Sequence, residues 1–223
     1  TFSSIGQDTL NRVVRMTFNG TTLENETVIV NNIPGASNHN GGRIKFGPDR
    51  MLYIGTGDAQ NPTQSQMTST LGGKILRVTD EGRPALNNPF NNAVFSYGHR
   101  NVQGLTWDDA GSLWATEHGS SSLDELNFIE RGNNYGWPDI RGDQTRSGMI
   151  VPVYHSGDTD NWAPSGAAFT NGSVYFSGLR GRSLYQAVVA NGRVTDFKQH
   201  LQDKYGRIRE VIASPDGSLY ITT

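Results

Sequence analysis

The 223-residue chain contains no cysteine, which excludes disulfides and thiolate metal sites and is compatible with an oxidising compartment. No apolar run is long enough to cross a bilayer. The N-terminal stretch TFSSIGQDTLNRVVRMTF has no apolar signal segment. Charge is sparse and balanced: 19 Lys and Arg against 21 Asp and Glu give a formal net charge of −2. No run of Lys or Arg forms the basic footprint of a nucleic-acid binder. At 18% charged residues, the chain fits neither a disordered segment nor a helical bundle. Helical periodicity is missing too, because Gly or Asn interrupts every stretch that begins one. What the chain does have is glycine. Its 27 glycines, with recurring Asn, Asp and Ser clusters, suit many short strands joined by tight turns.

Four segments repeat one plan: RIKFGPDRMLYIGTGD (43–58), GLTWDDAGSLWATEHG (104–119), GAAFTNGSVYFSGLRG (166–181) and REVIASPDGSLYITT (209–223). Each has an apolar strand, a turn rich in Asp, Asn and Gly, and a second strand opening on Leu or Val and an aromatic residue. Four more polar hairpins alternate with them: 12–30, 74–86, 125–137 and 183–197. Two hairpins make a four-stranded sheet, which is one propeller blade. The fold class is therefore all-β, a β-propeller of four-stranded blades with the apolar hairpins nearest the axis. The chain covers about four blades as a single domain over 1–223, beginning and ending in mid-blade. It is expected to be a fragment of a longer protein, or to be completed by other chains.

Chain approach to the first strand of a hairpin and chain exit from its second lie at the same end. His39 and Asp58, which flank the first apolar hairpin, must then share a rim. Arg100 and Asn101 precede the second hairpin, and Glu117 and His118 end it. Trp162 precedes the third, with Arg180 and Arg182 after it; Arg207 and Arg209 open the fourth. Imidazole, carboxylate and guanidinium groups thus collect around the mouth of one central channel. Histidine is suited to acid–base work near neutral pH. The arginines suit an anionic ligand with several carboxylates or phosphates, and Trp162 could stack on something flat. Bland roles are assigned to the others: His99 braces a strand end, and Trp107, Trp114 and Trp137 pack between blades. Asp49, Asp109 and Asp216 are turn residues, and Arg43 is either a ligand group or a structural ion-pair partner.

The motifs HNGGRIKFGPD, GHRNVQGL, EHGSSSLDELN, NNYGWPDI, WAPSG, GLRG and GRIREVIASPDG resemble the soluble pyrroloquinoline-quinone (PQQ) sugar dehydrogenases, which include the glucose/sorbosone and aldose sugar dehydrogenases. The resemblance runs from about Asn38 to the C-terminus and implies a six-bladed propeller. It implies oxidation of aldoses at the anomeric carbon to lactones, by hydride transfer to PQQ, with Ca²⁺ and an external electron acceptor. His39 matches the general base, Asp58 a carboxylate beside it, and Arg100 the arginine at the reactive carbonyl, with Asn101 next to it. His118 adjoins the site. Gly119 and Ser120 match residues whose carbonyls bind the cofactor's Ca²⁺. Arg207 and Arg209 match a pair that grips PQQ carboxylates. Arg180 falls where some relatives have Lys-Arg. Glu125, Tyr135 and Asp143 resemble a second, structural Ca²⁺ site. The resemblance implies a periplasmic or secreted protein, monomeric or homodimeric, that binds no nucleic acid. Two alternatives stand beside it: a Ca²⁺-dependent propeller lactonase or hydrolase, which would not need the arginines, and a non-catalytic binding propeller.

Overall fold

The computed structural model describes residues 2–5 and 8–223. The first sheet contains β1 (Phe2–Ile5), β2 (Asp8–Phe18) and β3 (Leu23–Pro34). Three four-stranded meanders follow. They are β4 (Arg43–Phe46), β5 (Leu52–Gly55), β6 (Lys74–Val78) and β7 (Val94–Tyr97); then β8 (Val102–Trp107), β9 (Leu113–Glu117), β10 (Glu125–Ile129) and β11 (Tyr154–His155); then β12 (Pro164–Thr170), β13 (Ser173–Gly178), β14 (Leu184–Ala190) and β15 (Arg193–His200). The hairpin of β16 (Glu210–Ala213) and β17 (Leu219–Thr222) ends the chain. The only regular helix among the described residues is a 3₁₀ turn, Pro62–Gln66, and none is long and apolar enough to cross a membrane. The blade architecture read from the sequence is present, and the four apolar hairpins pair as expected.

Three of the four apolar hairpins close on aspartate, and the third in chain order turns on Asn171-Gly172. Asp49, Asp108 and Asp216 each accept backbone N–H bonds from residues two or four positions on, the Asx geometry that makes such turns local. In the second hairpin the acceptor is Asp108, not Asp109. Strand alternation then feeds both faces of each sheet. Leu52 and Ile54 pack with Ile29, Ile33 and Leu76 on the side of the first sheet, while Tyr53 between them packs with Val102 and Leu105 of the next. Leu113 and Ala115 face that same interface, and Trp114 turns to Phe176 and Val174 of the following blade. Each strand thus serves two cores, which is why these short segments are apolar at nearly every position.

The innermost strands β4, β8, β12 and β16 pack on one another in succession. Arg43 reaches from β4 to Glu210 of β16, so its ion-pair reading holds. Lys45 donates to the carbonyls of Leu105 (3.3 Å) and Ala167 (3.5 Å), and burial lowers its pKa. These contacts tie the apolar hairpins to a common axis.

Two outer hairpins differ from the sequence reading. The partner of β6 is β7, not 84–86, which makes only a bridge from Pro84 to Val78. The partner of β10 is β11, 25 residues beyond Ile129, not 133–137. In both places the Gly-containing turn is real, but the chain leaves the sheet after it and returns later. The first and last sheets remain separate among the described residues.

Candidate active site

Two loops create the central geometry. His39 lies between β3 and β4 with φ of +56°, a left-handed conformation that costs a histidine energy and persists only where its surroundings impose it. The imposition is visible. The His39 carbonyl accepts the Ala59 N–H at 2.9 Å, and a Cβ on Gly57 would overlap that same oxygen. Asn101 accepts the Gly41 N–H at 2.9 Å, pinning the loop from the other side. His39 Nδ1 donates to Asp58 Oδ1 at 2.8 Å, and Arg100 Nη2 donates to His39 Nε2 at 3.0 Å. With Nδ1 protonated, Nε2 is the basic atom, and it is held by a cation.

Asp58 is fully buried. Burial by itself would push its pKa up, but hydrogen bonds from His39, Trp137 and the Gln60 N–H outweigh that and hold it below the ordinary carboxylate value. The Trp137 indole N–H donates to Asp58 Oδ2 at 2.9 Å, and its ring lies 5.3 Å from the Arg100 guanidinium. Trp137 therefore belongs to the site and not to blade packing. Its distance of 79 residues from Asp58 left no local signal; only the run NNYGWP marked the stretch. The consequence has a definite sign. A depressed carboxyl pKa stabilises the fold above the ordinary carboxylate range and loses that contribution as pH falls through the folded-state value. Trp137→Phe keeps the ring and removes one donor. The variant should be less stable than the parent by about 2 kcal/mol at neutral pH. The gap should narrow as pH falls below the ordinary carboxylate range and through the depressed folded-state value of Asp58. Thermal unfolding across pH checks this, and a gap that does not change with pH would refute it.

A second buried network supports Arg100. His99, fully buried, donates and accepts between Glu117 Oε2 and Ser96 Oγ, both at 2.8 Å, and stacks on Tyr135. The other Glu117 oxygen accepts the Arg100 backbone N–H. The expectation that His99 is a brace is met, and Glu117 is its partner. The Arg100 Nη1 donates to the His118 carbonyl at 3.2 Å, while its Nε is buried without a hydrogen-bond partner among the described residues.

These groups border an open cavity of about 400 Å³ lined by His39, Arg100, His118, Gly119, Ser120, Asp124, Arg180 and Arg207, among others. Burial, with Arg100 and His39 acting in the same direction, lowers the His118 pKa, and His118 Nε2 donates to the Pro164 carbonyl at 2.7 Å. Arg180 and Arg207 are exposed and form no ion pair among the described residues. The structure thus gathers seven of the sequence-predicted residues on one wall.

Others fall elsewhere. Trp162 does not present a face to the cavity. It is 5% exposed and sits in an aromatic stack with Tyr154, Phe176, Tyr185 and Phe197, because its backbone N–H is fixed to Asp124. Asn101 is buried and works as a loop fastener. Arg209 is exposed at the start of β16 and does not line the cavity. The Tyr135 hydroxyl bonds to Glu130 and Phe128 at the far end of β10 from Glu125, and Asp143 is exposed beside His155. Of that trio Glu125 is the one set in register against a carboxylate. It is opposite Glu117 in the β9–β10 register, and burial, then Glu117, raises its pKa to about 8. Both glutamates border a cavity of about 10 Å³ that also touches Gly119 and Ser120.

The chain is similar to several known proteins. The aldose sugar dehydrogenase YliI of Escherichia coli is 32% identical over 216 residues, covering 83% of this chain and 57% of its own. Quinoprotein glucose dehydrogenase B of Acinetobacter calcoaceticus is 36% identical over 165 residues, covering 63% and 34%. The PQQ-bound form of aldose sugar dehydrogenase from Streptomyces coelicolor superposes with a TM-score of 0.92 at 43% identity, over 100% of this chain and 68% of that one. The chain spans little more than half the length of the first curated relative and about a third of the second. The family model described as Glucose / Sorbosone dehydrogenase matches residues 1–223, and the chain belongs to that family.

Proposed function

We propose that this chain carries the base-bearing wall of a PQQ- and Ca²⁺-dependent dehydrogenase that oxidises aldoses to lactones, within a propeller whose remaining blades lie outside the chain. The observation that carries the reading is the convergence of the His39–Asp58–Arg100 set with the guanidinium groups of Arg180 and Arg207, which form no ion pair among the described residues, on one cavity.

The donor set fits the cofactor. A planar quinone with several carboxylates suits exposed guanidiniums, and the buried, unpartnered Arg100 Nε adds unused donor capacity on the same side chain. Gly119 and Ser120 fit the associated Ca²⁺, since neither carbonyl accepts a hydrogen bond among the described residues and Asp124 stands beside them. Glu125 and Glu117, with the unpartnered Asn127 Oδ1 nearby, fit a second Ca²⁺ better than the trio with Tyr135 and Asp143. When bound, PQQ supplies a hydride acceptor and passes the electrons to an external acceptor.

The protein's own part is proton transfer and charge placement. Asp58, ionised and locked by its donors, fixes the Nδ1–H tautomer of His39 and stabilises the imidazolium formed when Nε2 takes the proton of the sugar's anomeric hydroxyl. For Nε2 to accept it, Arg100 must release that atom. Its guanidinium is then free to stabilise negative charge on the cavity side. We assign the protein to the periplasm or the cell exterior.

The direct test adds PQQ and Ca²⁺ to the purified protein, and to a longer form carrying all blades, and follows aldose oxidation with an artificial electron acceptor. Absence of turnover in both would sink the reading. Arg207→Ala should weaken PQQ binding about tenfold or more, as loss of a charge-assisted hydrogen bond does. Titration of PQQ absorbance reads this, and unchanged affinity removes Arg207 from the pocket.

A further inference from the structure

Lys74 is the largest fully buried charged side chain among the described residues, and the chemistry above does not use it. It is fully buried, at the start of β6, and among the described residues no carboxylate pairs with it. Its Nζ donates instead to three backbone carbonyls: Gln64 at 2.8 Å, Ser65 at 3.1 Å, and Gly72. A buried ammonium without a counter-ion is costly and persists only where something requires it; burial lowers its pKa to about 7.

What it holds is the turn Pro62–Gln66. Three consecutive side chains of that turn each reach a different part of the site. Gln64 Nε2 donates to the Asp58 carbonyl at 2.6 Å, and Ser65 Oγ donates to the His99 carbonyl at 2.7 Å, next to Arg100. Gln66 Nε2 donates to the Trp137 carbonyl at 2.6 Å, and its Oε1 accepts from Asn134 at 2.7 Å. The turn therefore connects the loops that carry Asp58, Arg100 and Trp137, and these loops share no strand. A five-residue 3₁₀ turn leaves carbonyls to be satisfied from outside: Gln64 O also accepts from the Met67 N–H and Thr70 Oγ1, and Ser65 O from the Gly98 N–H, while the lysine links both to the Gly72 carbonyl from beneath. The fit is close, since a Cβ on Gly73 would overlap Ser65 Oγ.

We propose that Lys74 is a positioning residue for the His39–Asp58–Arg100 set, acting as a built-in monovalent cation inside a cage of carbonyl oxygens. The geometric claim stands on the structure alone; its kinetic consequence rests on the proposed dehydrogenase reading.

Two substitutions test it. Lys74→Met keeps the volume and removes the charge; Lys74→Ala opens space for an external cation. Amide hydrogen exchange comes first. Asp58, Gly73 and His99 donate to Arg100, Gly57 and Gly73 carbonyls across these loops. In Lys74→Met their protection should fall about tenfold or more, while amides of β12–β15 stay unchanged. Equal protection at all three overturns the proposal. If either variant fails to fold, Gln64→Met, which removes only the link to Asp58, should loosen the Asp58 amide alone; no change there also overturns it. In protein loaded with PQQ and Ca²⁺, Lys74→Met should lower kcat by about a hundredfold, with KM and PQQ affinity within about threefold, as expected for small misplacement of reacting groups. Ammonium or methylammonium should restore part of the Lys74→Ala rate. A variant that loses PQQ affinity as much as kcat marks general collapse and refutes positioning. Changed exchange, with no wild-type turnover in this chain or in the longer form carrying all blades, would leave the Lys74 assignment standing and sink the dehydrogenase reading.

Discussion

His39→Ala should lose about a thousandfold or more in turnover while PQQ affinity stays within a few-fold, the size expected for removing a general base. The reason is where the two ring nitrogens point. Nδ1 is committed to Asp58, so the basic lone pair is on Nε2, at the cavity wall. No other imidazole can replace it. His118 Nε2 is engaged by the Pro164 carbonyl, and His99 is fully buried between Ser96 and Glu117. The substitution also touches a strained backbone, since His39 has φ of +56° and alanine gains nothing there. His39→Gly relieves that strain and separates the two effects. Both variants should lose the same activity, with the glycine form the more stable. Initial rates with an artificial acceptor and thermal unfolding measure the pair; turnover within tenfold of wild type in either would remove the base role.

Arg100→Met should lower kcat by about a hundredfold, in the range found when a preorganised donor to developing charge is removed. Arg100 spans more of the site than any other side chain: it donates to His39 Nε2 and to the His118 carbonyl and lies against Trp137. Burial lowers its pKa, and Asp58, Glu117 and Asp124 oppose that shift. Because Arg100 and His39 share one hydrogen bond, their effects cannot be independent. The double variant His39→Ala, Arg100→Met should be little slower than His39→Ala alone. Full additivity would mean that the two residues act on separate steps.

Much of this was legible in the amino-acid order. Alternation within RIKF, MLYIG, LWATE and VYFSG, and the aspartates or Asn-Gly that close their turns, are properties of near neighbours, so strand, turn and hairpin could all be read locally. A hairpin's two ends must also share a rim. That alone brought His39 to Asp58, and the repeated plan brought Arg100, His118, Arg180 and Arg207 to the same mouth.

The outer strands were different. The true partners of β6 and β10 lie beyond excursions that leave the sheet, and no nearest-neighbour pattern says where such a loop returns. The two tryptophans show the same limit at a single side chain. Trp162, beside a site residue in the chain, turns into an aromatic core, and Trp137, far from Asp58, crosses a blade to hold it. Lys74 reads as an ordinary polar residue opening a strand, and only the folded loops enclose it in carbonyls. Composition and alternation by themselves determined that the chain forms blades and which ends of them bear the reactive groups, because both follow from the two-residue strand repeat. Which side chains finally face the cavity was decided by the tertiary structure, because that depends on loops packed against each other across blades, where each group's position is set by partners remote in the chain.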